Sequence, residues 1–116
     1  MNAPQRQSRP EIDVKALRQF LNRSQGQLLQ MRALLVEQSM LIDARTLRRM
    51  TQWSREISMG AELAGLTTLS RAADQVEWLA TDALGHPATD SIGFTARMSE
   101  RLCALEAQLT LATPAG

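Results

Sequence analysis

Apolar residues recur along most of the chain at steps of three and four, the spacing that gathers them on one side of a helix. The clearest apolar stripe follows Asp43 and consists of Leu47, Met50, Ile57, Ala61 and Ala64, with Ser54 in a small slot between Met50 and Ile57. The opposite side of the same segment is basic and polar, with Arg45, Arg48, Gln52, Arg55, Ser58 and Glu62. The pattern therefore predicts an amphipathic helix over 44–63 with a charged outer face.

Capping and terminating residues set the bounds of this helix and of the next one. The carboxylate of Asp43 can accept from free N–H groups of the first turn, which makes Asp43 a good N-cap. Gly65 suits the left-handed conformation that commonly ends helices. We expect Thr67 or Thr68 to cap a following helix over 68–84, whose stripe contains Leu69, Ala72, Ala73, Val76, Leu79, Ala80 and Ala83.

The same reasoning predicts further helices over 11–21, 26–41 and 91–111. The first turns Ile12, Leu17, Phe20 and Leu21 inward, and Ser24 with Gln27 forms a capping box that starts the second. The second carries Leu28, Met31, Leu34, Leu35, Gln38 and Ile42 near one face. A turn at 86–89 contains Pro87, and Asp90 or Ser91 caps the last helix, whose stripe is Ile92, Thr95, Met98, Leu102, Leu105 and Leu109.

These elements predict an all-α protein: an antiparallel four-helix up-down bundle with a short extra N-terminal helix. At 116 residues the chain is long enough for one domain with a single core. We assign that bundle to residues 11–112, a disordered tail to 1–10 and a frayed end to 113–116. The short loop near Asp43 makes the second and third predicted helices antiparallel neighbours.

Composition and charge narrow the function classes. The formal net charge is +1, which argues against a general nucleic-acid binder. No apolar run is long enough for a signal peptide or a membrane span, so we expect a cytoplasmic protein. Cys103 is the only cysteine, which excludes an internal disulfide, and its helical setting indicates a small core residue.

The segment 43–77 resembles the centre of histidine-containing phosphotransfer (HPt) domains, in which a His, a Lys and a Gly precede a second Gly and a Leu/Ala-rich helix. Anchoring the pattern on Gly65 places Leu69, Ala73, Val76 and Glu77 at the later positions. The same register puts Arg55 at the position of the phosphorylated His, Ser58 at that of the Lys and Met59 at that of the first Gly. The resemblance implies an HPt-like bundle that keeps the structural half of the motif and lacks its chemical half.

No residue of this chain is expected to carry chemistry. Arg55 cannot accept a phosphoryl group, because a guanidinium stays protonated and offers no lone pair. His86 is the only histidine and lies in a predicted turn between Gly85 and Pro87. One His and one Cys in different elements do not make a metal site. We therefore predict no catalytic residue, no cofactor and no enzyme.

The HPt resemblance implies a binding role in a two-component phosphorelay, with a response-regulator receiver domain or a histidine kinase as the partner. The implied contact surface is the outer face of the central helix, with Arg48, Thr51, Arg55, Ser58, Met59 and Glu62. An alternative is an unrelated helical adaptor or secretion chaperone that cradles a partner helix in an exposed apolar groove. An RNA-binding bundle and an enzyme rank lower. Trp53 and Trp78 are expected to pack at the core or its boundary; an exposed Trp would be a candidate interface anchor.

Overall fold

The computed structural model describes residues 3–38, 42–86 and 91–114, with side chains described from Val14 onward. Its four helices are α1 (Ala3–Glu37), α2 (Ala44–Leu63), α3 (Thr67–Gly85) and α4 (Ser91–Ala112), and the described ranges contain no strand. Each helix packs against its neighbour in the chain, and α1 packs against α4, which closes the bundle. The predicted all-α fold, a four-helix bundle, is confirmed.

The separate N-terminal helix is not present, because α1 runs without interruption through the predicted break at 22–25. Ser24 is buried in the middle of α1, so it does not begin a helix, and the Gln27 side chain donates to Glu56 of α2 over 2.9 Å. The reason is that Leu21, Ser24 and Leu28 continue one heptad-spaced stripe, with a small polar residue at a core position. Residues 22–27 are all polar or glycine, so the apolar spacing alone does not show that the stripe continues through them.

The ends of α1 also differ from the sequence prediction. The helix begins at Ala3, within the segment that the sequence assigned to a disordered tail, and it ends at Glu37, whereas the pattern extended to residue 41. Residues 39–41 lie outside the described part of the chain, as do 87–90, which hold most of the predicted turn and the Asp90 cap.

The connection between α2 and α3 is a tight turn built on Gly65. The Leu66 amide donates to the Ala61 carbonyl at 2.8 Å and the Gly65 amide to Glu62 at 3.0 Å, the paired bonds of a Schellman motif. Gly65 has a φ of +76°, the left-handed conformation predicted for it. The prediction that Thr67 or Thr68 caps α3 is wrong: the cap residue is Leu66, which makes no side-chain capping bond and packs against the core.

The start of α2 follows the prediction. The Thr46 amide donates to the Asp43 carboxylate over 2.8 Å, so Asp43 is the N-cap. This hydrogen bond is the main cause that lowers the pKa of Asp43 from its ordinary value of 3.8. Cap and turn together fix where α2 begins and ends, and hence which of its residues face the core.

All four helices contribute to the core. The buried side of α4 is rotated about the helix axis relative to the predicted stripe. Phe94 is buried and Ile92 is exposed, because Phe94 lies four residues before Met98, whereas Ile92 lies six residues before it and so points about 120° away around the helix. Cys103, expected in the core, is exposed for the same reason. The buried apolar set is Leu21, Leu28, Met31, Leu35, Leu47, Met50, Ile57, Ala61, Leu69, Ala73, Val76, Leu79, Ala80, Phe94, Met98, Leu102, Leu105 and Leu109. Within the described ranges, no helix has both the length and the apolar character to cross a membrane.

Candidate functional site

The outer face of α2 carries most of the residues that the sequence proposed for partner binding. Arg48, Arg55, Met59 and Glu62 are exposed there. Thr51 is half-buried, and its hydroxyl donates to the Leu47 carbonyl one turn back, over 3.0 Å. The structure therefore brings these residues together on one helix face, with Thr51 at its edge.

Ser58 does not belong to that exposed face, which corrects its assignment to the contact surface. It is 6% exposed, and its hydroxyl donates to the Asp74 carboxylate of α3 while lying 3.1 Å from the Ser70 hydroxyl. Packing of α3 covers this edge of α2, and the sequence of α2 alone could not show which edge would be covered. Ser58 thus holds α2 to α3 and does not face solvent.

Arg55 lies midway along α2 and forms an ion pair across to α3. Its Nε donates to Glu77 Oε2 over 2.9 Å, and the side chains are 59% and 24% exposed respectively. The bond uses one N–H of the guanidinium, which has further donors at its terminal nitrogens. Glu77 therefore orients Arg55 and leaves most of the guanidinium open to solvent.

The residues beside Glu77 extend this surface onto α3. Trp78 is 65% exposed, so the expectation that it packs at the core or its boundary is wrong. Asp74 lies one turn before it on the same side of α3 and is also exposed. We call this surface the α2–α3 face, defined by Arg48, Arg55, Met59 and Glu62 of α2 and by Asp74, Glu77 and Trp78 of α3.

The other indole behaves as predicted. Trp53 is half-buried and packs against the core, and the guanidinium of Arg49 lies over its ring, 5.4 Å from the ring centroid. This is a cation–π contact on the side of α2 away from the α2–α3 face. Arg49 is therefore engaged with its own helix, unlike Arg48.

A second surface feature is an apolar groove between α1 and α2 that the sequence did not localise. It encloses about 410 Å³ and is lined by Val14, Ala16, Leu17, Phe20, Gly60, Leu63 and Ala64. Leu63, on its rim, is 91% exposed. Gly60 sits under the Phe20 ring, so closely that a Cβ at this position would overlap a ring carbon. We call this feature the α1–α2 groove.

The remaining candidate groups are dispersed. His86 is exposed just after α3, with Nδ1 3.5 Å from an Asp82 carboxylate oxygen. The Arg32 guanidinium contacts both the Cys103 sulfur, at 3.5 Å, and Glu106, at 2.6 Å, on the α1–α4 side. The described residues include no cluster of three or more His, Cys, Asp or Glu side chains that could hold a metal ion.

Comparison of the chain with protein-family models, with curated proteins and with solved structures finds no match. The HPt resemblance therefore stays a prediction from the residues of 43–77.

Proposed function

We propose that this chain is a non-phosphorylatable HPt-like signalling protein that binds the receiver domain of a response regulator, or its histidine kinase. Binding would modulate a two-component phosphorelay by occupying the partner. The observation that carries the proposal is the exposed Arg55, midway along α2 in the register where HPt domains have their phosphorylated His. Its exposure makes contact with a partner sterically feasible.

The charge of this surface suits an acidic partner pocket. Arg48 and Arg55 are two turns apart on one side of α2, so a docked carboxylate cluster would meet both guanidinium groups. Complementary charges of this kind raise the association rate and fix the orientation of a complex. Arg55 would bind acidic side chains by charge-assisted hydrogen bonds and would accept no phosphoryl group.

Charge reversal at Arg55 tests the proposal. We expect Arg55→Glu to weaken binding of the cognate receiver or kinase by about 2 kcal/mol or more, because like charges would meet in a partly desolvated contact. The matched control is Arg97→Glu, a charge reversal at an exposed position of α4 outside the α2–α3 face. The measurement is a calorimetric titration of each variant, with circular dichroism to verify the fold. Equal affinities for the wild type and Arg55→Glu would refute the proposal.

The α1–α2 groove favours a second candidate, a helical adaptor that cradles a partner helix. Its apolar lining and the exposed Leu63 fit the apolar side of an amphipathic helix. Leu63→Glu would place a charge on the groove rim and abolish binding of a partner helix there. It should leave the affinity for the receiver or kinase, which depends on Arg55, unchanged. Selection of helical peptides against the wild type and against Leu63→Glu distinguishes the two candidates.

A further inference from the structure

Charge is segregated between the two helices of the α2–α3 face. Between Ala44 and Arg55, α2 contributes Arg48 and Arg55 to this face and has no acidic residue. Between Asp74 and Gly85, α3 contributes Asp74 and Glu77 to this face and has no basic residue. The Arg55–Glu77 ion pair shows that these two segments lie side by side at the same level of the bundle. Around the Arg55–Glu77 pair, the face is therefore basic along α2 and acidic along α3.

Trp78 stands on the acidic helix next to Glu77. Its indole is 65% exposed, although a large aromatic side chain gains most from burial. Tryptophan is enriched among the residues that contribute most to protein interfaces. The face therefore contains a basic ridge on α2, an acidic ridge on α3 and one exposed aromatic side chain, Trp78.

Such a face is complementary to itself under one symmetry operation. A two-fold axis parallel to the helices places α2 of each copy over α3 of the other and keeps every residue at its own level. The basic segment then meets the acidic segment twice. A two-fold axis perpendicular to the helices at the level of Arg55 would instead bring Arg55 opposite Arg55 and Glu77 opposite Glu77.

We propose that two copies of this chain associate through their α2–α3 faces about a two-fold axis parallel to the helices. Arg55 of each copy pairs with Glu77 of the other, and each Trp78 lies against α2 of the other copy. The inference rests on the charges and on Trp78, and it holds whether or not a receiver domain binds. A dimer of this kind covers Arg55, so self-association and partner binding would compete for one surface.

Two charge reversals give a test that uses the protein alone. Arg55→Glu makes both ridges acidic at this level, and Glu77→Arg makes both basic. Each variant by itself should dimerise about tenfold more weakly than the wild type or worse, because like charges then oppose each other at both symmetric contacts. A one-to-one mixture should recover association, since every intermolecular contact joins a Glu to an Arg. The ion pair within each chain stays broken in both variants, so only contacts between chains can produce the recovery.

Sedimentation equilibrium measures the outcome over concentrations from about 1 µM to 1 mM, a range suited to weak complexes. The wild-type mass should rise from 12.9 kDa towards twice that value. Trp78→Ala should weaken both the wild-type dimer and the mixed dimer, whereas Arg97→Glu should change neither. Circular dichroism of each variant verifies that the bundle is intact.

Three results would overturn the dimer. They are a wild-type mass that stays at one chain throughout, a mixture that stays as monomeric as its two components, and a dimer that is insensitive to both charge reversals. These results are obtained with the protein alone, whereas the receiver titration requires the receiver domain, so the two proposals can fail separately. Conversely, a receiver domain that fails to bind at concentrations where the wild type is monomeric would refute only the proposed function.

Discussion

Gly60 shows how a single residue shapes a surface. It lies in the interior of α2, where glycine is normally unfavourable relative to alanine. Its backbone, however, receives the Phe20 ring of α1, and any Cβ would overlap that ring. Gly60 therefore allows α1 to approach α2 closely at the floor of the α1–α2 groove.

We expect Gly60→Ala to destabilise the protein by about 1–3 kcal/mol, because the displaced ring outweighs the gain in helix propensity. Gly26→Ala is the control: it is also a helical glycine, and its Cβ would meet nothing within 4 Å. That variant should be more stable than the wild type by about 0.5–1 kcal/mol. Urea unfolding of both variants measures the difference, and equal effects at the two glycines would contradict this role of Phe20.

At the scale of elements, α2 and α3 are joined by a buried polar contact beneath the ion pair. Ser58 donates to Asp74 and adjoins the buried Ser70 hydroxyl. Without Ser58, the Ser70 hydroxyl would lose this neighbour inside the helix interface. The contact therefore fixes the relative position of the two helices that form the α2–α3 face.

Ser58→Ala should lower the free energy of unfolding by about 1–3 kcal/mol, the cost of leaving a buried hydroxyl unsatisfied. Ser54→Ala is a matched buried control on the same helix, since the Ser54 hydroxyl bonds only to carbonyls of its own helix, Met50 and Thr51. We expect that control to cost less than about 0.5 kcal/mol. In addition, Ser58→Ala and Ser70→Ala together should cost less than the sum of the two, as measured by a double-mutant cycle in urea. An additive cycle would show that the two hydroxyls do not interact.

At the scale of the whole molecule, the four helices contribute to one core. Leu105 of α4 is fully buried, whereas Leu111 of the same helix lies mostly in solvent. The two residues have the same chemistry and differ in whether the other helices cover them. Comparing them measures how much of the stability comes from assembly of the bundle.

We predict that Leu105→Ala destabilises the protein by about 2–5 kcal/mol, through lost burial and a residual cavity. Leu111→Ala should stay within about 0.5 kcal/mol of the wild type. Thermal unfolding followed by far-ultraviolet circular dichroism compares the two variants. Similar melting temperatures for both would mean that α4 does not contribute to a common core.

The sequence by itself determined the helices whose signals are local. The cap at Asp43, the left-handed Gly65 and the apolar spacing of 44–63 specify α2 and its turn, because each depends only on neighbouring backbone groups and on helical periodicity. The same periodicity, read with the short connections, was enough to predict a four-helix bundle. It also placed Arg48, Arg55, Met59 and Glu62 on one exposed face.

Tertiary structure decided everything that depends on which helix covers which edge. The exposed face of α2 and the edge covered by α3 have similar polarity in sequence, so only packing separated Ser58 from Arg55. Packing likewise buries Ser24 in the middle of a continuous α1. The small Ser24 side chain fits a core position, although a polar residue is not expected there from sequence. Trp78 is exposed to solvent, although its large and mostly apolar side chain suggested a place at the core or its boundary. The physical reason is common to these cases: periodicity reports the direction of a side chain, whereas burial depends on the partner that the fold supplies.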